Sequence, residues 1–267
     1  MATLLITGGA GRIASSLRPR LTAAGHRLVL LDEVDLPTPP TDTERFVSGP
    51  IADRDALDSA VEGVDAIVHL AGIPTENTWE ALTDANVDGT RLVLEAAARH
   101  EVRQVFLASS IHAVGRVPEE DDHPASVPGD RLPRPDTYYG VTKAVMELFG
   151  SLFADRYGMT IVSARIGAFG EEPGTRRALR MWSSPDDLVR LVEALLALEE
   201  PGHHVVWAVS RNTGSPADFS AGERIGFSPQ DDAADVLDAA TFDAMPEEDM
   251  QFLGGGLAHH PLGVPRT

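Results

Sequence analysis

Cysteine is missing from all 267 residues, which excludes disulfides and thiolate metal sites. Lysine is nearly missing too: of 22 basic residues Lys143 is the one lysine, and the other 21 are arginine. Basic charge as a whole is scarce beside 41 acidic residues, and the net charge is −19. Such a surface repels phosphate backbones and anionic lipid, so neither nucleic acid nor a membrane surface is an expected partner. No run of about 20 apolar residues is present, which argues against a membrane span. The opening Met1-Ala2-Thr3-Leu4-Leu5-Ile6 lacks the length and basic flank of a secretory signal. A cytoplasmic protein is expected, its acidity a background of salt adaptation or a GC-rich source.

With 43% hydrophobic residues the chain can bury a full core and suits one α/β domain with elaborations. The apolar run Leu4-Leu5-Ile6 breaks into Thr7-Gly8-Gly9-Ala10-Gly11-Arg12-Ile13-Ala14. Helical spacing follows through Leu17 and Leu21 to Gly25, and Leu28-Val29-Leu30-Leu31 reads as a second strand closed by Asp32. Strand, glycine turn, helix, strand, acid is the dinucleotide-binding pattern. Glycines let backbone N–H groups approach a pyrophosphate at the helix start, and Ala14 takes the third small position. Asp32 follows Gly11 by 21 residues, near the interval of the acid that binds a ribose 2′-OH. That carboxylate would repel a 2′-phosphate, which predicts NAD rather than NADP; Arg12 is the one dissenting residue.

Further along, residues 45–48 read as a strand, Asp53 caps a helix to about Val61, and residues 65–70 form a strand ending in Ala71-Gly72. One long helix is expected from Trp79 to about His100. It carries Asn86, either a helix-surface residue or a hold on a catalytic water or lysine. A strand at 105–108 delivers Ser109-Ser110-Ile111-His112 to a loop with prolines 118, 124, 128, 133 and 135, which suits a substrate wall. A strand at 161–165 runs into Ile166-Gly167-Ala168. A capped helix runs from Ser184 to about Leu198, and residues 205–209 form the last strand before a loop- and helix-rich tail. The pairs His203-His204 and His259-His260 cannot both face one ion from a regular strand, and no metal is expected.

The most informative stretch is Tyr138-Tyr139-Gly140-Val141-Thr142-Lys143, at the start of a helix expected from Asp136 to about Tyr157. Spacing of four places the phenol of Tyr139 and the ammonium of Lys143 on one face. A cation beside a phenol lowers its pKa from about 10, and reaching about 7 requires roughly 4 kcal/mol of differential stabilisation. The pair is thus expected to form a base able to take a proton from a hydroxyl. Guanidinium and ammonium differ in shape and titration, so one lysine kept four residues after a tyrosine points to a working site.

Together these residues resemble the extended short-chain dehydrogenase/reductase family. The resemblance rests on Thr7-Gly8-Gly9-Ala10-Gly11, Asp32, His69-Leu70-Ala71-Gly72, Asn86-Val87-Asp88-Gly89-Thr90, Ser109-Ser110 and Tyr139-Gly140-Val141-Thr142-Lys143. Within it the chain looks most like uronate dehydrogenases and related NAD-dependent sugar dehydrogenases. That likeness is carried by Ser109-Ser110-Ile111-His112, Arg165-Ile166-Gly167, Arg177, residues 182–187, 205–207 and 225–229.

The resemblance implies an α/β fold with a Rossmann-type doubly wound parallel sheet and a small C-terminal substrate-binding lobe. One domain would span 1–267, with 1–167 and 203–210 mainly the dinucleotide-binding core and 168–202 and 211–267 mainly lobe and tail. It implies oxidation of C1 of a cyclic sugar or sugar acid to a lactone by a homo-oligomer. A sugar-nucleotide epimerase or reductase, or a non-catalytic NAD sensor, are the alternatives. Catalytic roles fall to Ser110, Tyr139, Lys143 and Asn86, with Ser110 preferred over Ser109 because Gly115 follows it by five. Cofactor contacts fall to Gly8, Gly11, Arg12, Ile13, Asp32 and Ile51, and to Leu70, Ala71, Gly72, Tyr139, Lys143 and Ile166. Substrate contacts fall to Pro74, Ile111, His112, Ala168 and Arg177. Arg177 is either a clamp for a carboxylate or a solvated arginine, and His112 either a ligand for a hydroxyl or a structural histidine. Pro74, Ile111 and Ala168 stand where polar residues are usual in such enzymes, and Pro50 where an adenine-binding aspartate is common.

Overall fold

A computed structural model describes residues 1–118, 126–237, 241, 244–245 and 251–266, with the side chain of Arg177 left out. Pro124 of the expected substrate loop therefore lies outside the described residues. In chain order the first half runs β1 (Thr3–Thr7), α1 (Arg12–Ala23), β2 (Arg27–Asp32), β3 (Glu44–Ser48), α2 (Arg54–Val61) and β4 (Ala66–His69). It continues with α3 (Trp79–Leu82), α4 (Gly89–Arg99), β5 (Gln104–Ser110) and β6 (Val127–Pro128). The second half holds α5 (Tyr138–Tyr157), β7 (Thr160–Ile166), β8 (Ala168–Phe169), α6 (Arg176–Met181), β9 (Trp182–Ser183), α7 (Pro185–Leu196) and β10 (Gly202–Ala208). The short elements β11 (Ala217–Asp218), α8 (Ser220–Glu223) and α9 (Ala233–Val236) follow.

Seven strands pair in the order β10-β7-β5-β4-β1-β2-β3, all in parallel. The chain adds β2 and β3 on one side of β1 and β4, β5, β7 and β10 on the other. A doubly wound sheet opens a crevice at the carboxyl ends of β1 and β4, where the winding reverses. Alternation along the strands explains the two faces. Leu4, Ile6, Leu28, Leu30 and Val68 pack against α1 and α7 through Leu17, Leu21, Leu188 and Leu191. Leu5, Val29, Leu31 and Ile67 face the other way, onto Leu57 of α2, Val93 of α4 and Met146 and Phe153 of α5. A third, smaller cluster of Ile111, Val114, Val127, Met181, Trp207 and Leu253 forms above the strand ends, where Trp207 Nε1 donates to Val127 O at 2.7 Å.

The expected single helix from Trp79 to His100 is interrupted. Residues Thr83–Asp88 widen into a π-helical stretch between α3 and α4. Asn86 lies in it, with Nδ2 donating to Ile73 O and Thr142 Oγ1 at 3.1 Å each and Oδ1 accepting from Ile73 N at 2.8 Å. These tertiary bonds hold the wide turn, a backbone form that local propensity does not favour.

Candidate active site

Thr7 ends β1 and the chain turns at Gly8, whose φ of 72° suits glycine. A Cβ there would come within 2.8 Å of Ala71 N, so the turn also needs the missing side chain. Gly8 N and Gly9 N both donate to Leu31 O, at 2.9 and 3.1 Å. No side chain caps α1 at Gly11, which leaves first-turn N–H groups for an anion. Asp32 Oδ2 accepts from Ala10 N at 2.9 Å and Oδ1 from Val34 N at 3.1 Å. The carboxylate is thereby fixed at a cleft of about 480 Å³ whose lining includes Gly8, Gly11, Ile51, Leu70, Ala71 and Gly72.

A second cavity of about 250 Å³ adjoins the first and shares Leu70, Gly72 and Ile73 with it. Arg12, Ile13, Ile166, Tyr139 and Lys143 line this second cavity. Arg12 stacks its guanidinium 6.0 Å above the Phe169 ring, so the dissenting arginine and Asp32 border different cavities. An uncapped helix start, a glycine-lined waist and a fixed acid at the far end suit a dinucleotide stretched across both.

The second cavity also holds the chemistry. Thr137 opens α5, its Oγ1 accepting from Gly140 N at 2.9 Å. Tyr139 and Lys143 lie one turn apart on the buried face, and Lys143 Nζ stands 5.6 Å from the Tyr139 ring centroid. Nζ donates to Ala108 O at 2.7 Å. Burial pushes the Tyr139 phenol up to about 12; a hydrogen bond with Ser110 pulls it back, and the charge of Asp136 adds to the rise. Burial also draws the Lys143 ammonium down to about 8. The phenol, expected to be lowered, is thus raised in the chain alone, and desolvation is the largest cause.

Ser109 is committed elsewhere: its Oγ donates to Glu147 Oε1 at 2.6 Å, inside a buried ion pair of Glu147 with Arg165. Ser110 remains beside the phenol and accepts from His112 N at 3.2 Å. The amide of Asn86 is spent on Ile73 and Thr142 and makes no hydrogen bond to Lys143. Pro74, Ile111, His112 and Ala168 border the second cavity. Ile111 is only 3% exposed and belongs mainly to the small upper core. Arg177 lies on α6, and its side chain is outside the described residues.

Three buried acids escaped the reading of the sequence. Glu76 accepts from Tyr139 N at 2.9 Å and from Gly263 N at 2.8 Å, tying the helix start to the tail. Asp136 accepts from His112 Nδ1 at 2.8 Å. Glu147 had a visible signal, since it extends the Tyr139, Lys143 stripe by one more turn. Among the described residues no cluster of His, Asp or Glu could hold a metal, and no helix is long and apolar enough to cross a membrane.

Residues 4–184 match the NAD dependent epimerase/dehydratase family. The chain belongs to that family. It is 37% identical to the uronate dehydrogenase of Pseudomonas syringae pv. tomato, over 97% of this chain and 94% of that protein. The crystal structure of uronate dehydrogenase from Agrobacterium tumefaciens aligns with a TM-score of 0.90 at 32% identity, covering 99% of this chain and 98% of that one. A tyrosine-to-alanine mutant of the Agrobacterium tumefaciens enzyme, complexed with NAD, gives 0.89 at 32% identity, covering 97% of both chains.

Proposed function

We propose that the protein oxidises C1 of a cyclic uronate to the lactone, with NAD as the oxidant. The observation that carries this reading is Tyr139, Lys143 and Ser110 in one cavity beside Gly72 and Ile166, within a chain 37% identical to a uronate dehydrogenase over nearly its whole length. NAD, when bound, takes the hydride from C1. Everything else falls to the chain. The turn at Gly8 and Gly11 holds the pyrophosphate and Asp32 the adenosine ribose. Ser110 orients the C1 oxygen and Tyr139 removes its proton.

Burial, with the charge of Asp136 added to it, keeps the phenol near 12, so base strength depends on positive charge in the occupied site. The Lys143 ammonium is half of that charge and the oxidised nicotinamide ring the other half. In this reading Arg177 pairs with the carboxylate, and Pro74, Ile111, His112 and Ala168 wall the sugar, with residues 168–202 and 211–267 serving the substrate side. The reading includes a cytoplasmic homo-oligomer; Leu148 and Leu152, exposed one turn apart on α5, offer it an apolar surface. A panel of uronates, aldoses and sugar phosphates with NAD and NADP, followed by absorbance of the reduced cofactor, tests it. Fastest turnover of a uronate with NAD is expected; turnover of aldoses or phosphates alone would refute the uronate reading.

A further inference from the structure

Asp136 is a carboxylate in a costly place. Its side chain is fully buried, and its negative charge opposes ionisation of the neighbouring Tyr139 phenol. The backbone nevertheless makes room for it: a Cβ added at Gly115 or Gly254 would overlap Asp136 Oδ2, and one at Gly140 would come within 3.1 Å of Oδ1. A neutral amide would fill the same space without opposing the base.

Both oxygens of Asp136 act as acceptors. Oδ1 takes the Thr137 hydroxyl at 3.0 Å, a hydroxyl whose lone pair already receives Gly140 N–H. Oδ2 meets His112 Nδ1 at 2.8 Å. An ionised carboxylate has no proton to give, so Nδ1 must carry the one between them. Nε2 is then the nitrogen left to the cavity that His112 borders together with Ser110 and Tyr139. The ring is held edge-on to the Tyr139 ring, with centroids 5.7 Å apart.

We propose that Asp136 is a positioning residue acting through His112: it fixes the tautomer that presents Nε2 as a hydrogen-bond acceptor to a substrate hydroxyl beside the reacting carbon. The substrate part of this inference rests on the proposed sugar-acid reading. An acceptor at that point selects a donor, so the site favours a hydroxyl there over an ether or a deoxy carbon. Replacing the acid by its amide inverts the selection. In Asp136→Asn the amide oxygen stays with Thr137 and the NH₂ turns to Nδ1, which moves the ring proton to Nε2. A donor then faces the donor it should receive, the same logic by which a wrong tautomer disables a catalytic histidine.

The test combines nitrogen-15 histidine NMR of the resting protein with steady-state kinetics, using His112→Gln to assign the ring. The expected spectrum shows His112 protonated on Nδ1 in the wild type and on Nε2 in Asp136→Asn. With a uronate substrate, KM should rise about tenfold in Asp136→Asn, more than kcat falls, while NAD affinity by tryptophan quenching is unchanged. In a His112→Gln background, Asp136→Asn should add less than about twofold. An unchanged tautomer, or equal losses with and without His112, would overturn the proposal. If the wild type oxidises no uronate, the proposed reaction falls separately, and the tautomer readout still decides whether Asp136 governs His112.

Discussion

Lys143 Nζ donates a 2.7 Å hydrogen bond to the carbonyl of Ala108, two residues before Ser110, and so pins the catalytic helix to the end of the strand that delivers the serine. The one lysine therefore has a geometric task as well as an electrostatic one. The residue is buried, 5% exposed, and its compact head is aimed at the Ala108 carbonyl.

Lys143→Arg should lose activity by on the order of a hundredfold, because a planar guanidinium cannot occupy that buried position. Steady-state rates check this, with thermal melting alongside to separate misfolding from lost chemistry. A folded, fully active arginine variant would show that the lone lysine has no special role.

Asp32 has two duties, since its oxygens already hold Ala10 N and Val34 N. Asp32→Ala should narrow the preference for NAD over NADP by removing repulsion of a 2′-phosphate, and should also loosen the turn. Arg12 borders the other cavity, so Arg12→Ala should leave the preference between the cofactors nearly unchanged. Cofactor titration of both variants decides it; a wild type that favours NADP would count against the assignment.

His69 predicts an acid weakness. It is fully buried, bonded to Thr7 Oγ1 at 2.8 Å and Thr90 Oγ1 at 3.2 Å. Burial, helped by the charge of Lys143, brings its pKa from 6.5 to about 3. Between those values the unfolded chain binds a proton that the folded chain refuses, so stability falls as pH falls through this window. Tm measured from pH 7 downward should fall less steeply in His69→Gln than in the wild type (on the linkage slope). Parallel slopes would remove His69 from the account.

Arg177→Ala should raise KM for a uronate roughly tenfold to hundredfold, as expected for loss of a charge-assisted bond, with little effect on the matching neutral aldose. Comparing KM on the two sugars checks this. Equal losses on both would give Arg177 a structural role.

Much of this was legible because it is local. Leu4-Leu5-Ile6 running into Gly8 and Gly11, and Asp32 closing the next strand, declare their elements within a few residues of themselves. Lys143 was legible through its rarity. The π-helical stretch was not, since it depends on Asn86 meeting Ile73 and Thr142, the latter 56 residues away. Glu76 was equally hidden, because it meets Tyr139 and Gly263 from 63 and 187 residues away. Spacing correctly put Tyr139 and Lys143 on one face but could not show that both would be dry. That burial reverses the expected shift of the phenol.

The central claim is a uronate oxidised by NAD with Tyr139 as the base, and the initial rate of NAD reduction on a uronate, wild type beside Tyr139→Phe, tests it most directly. The account predicts steady formation of reduced cofactor by the wild type. It predicts loss of at least about a hundredfold in the variant, with NAD still bound, because only the proton acceptor is gone. A variant that turns over near the wild-type rate, or a wild type that reduces no NAD with any uronate, would contradict it.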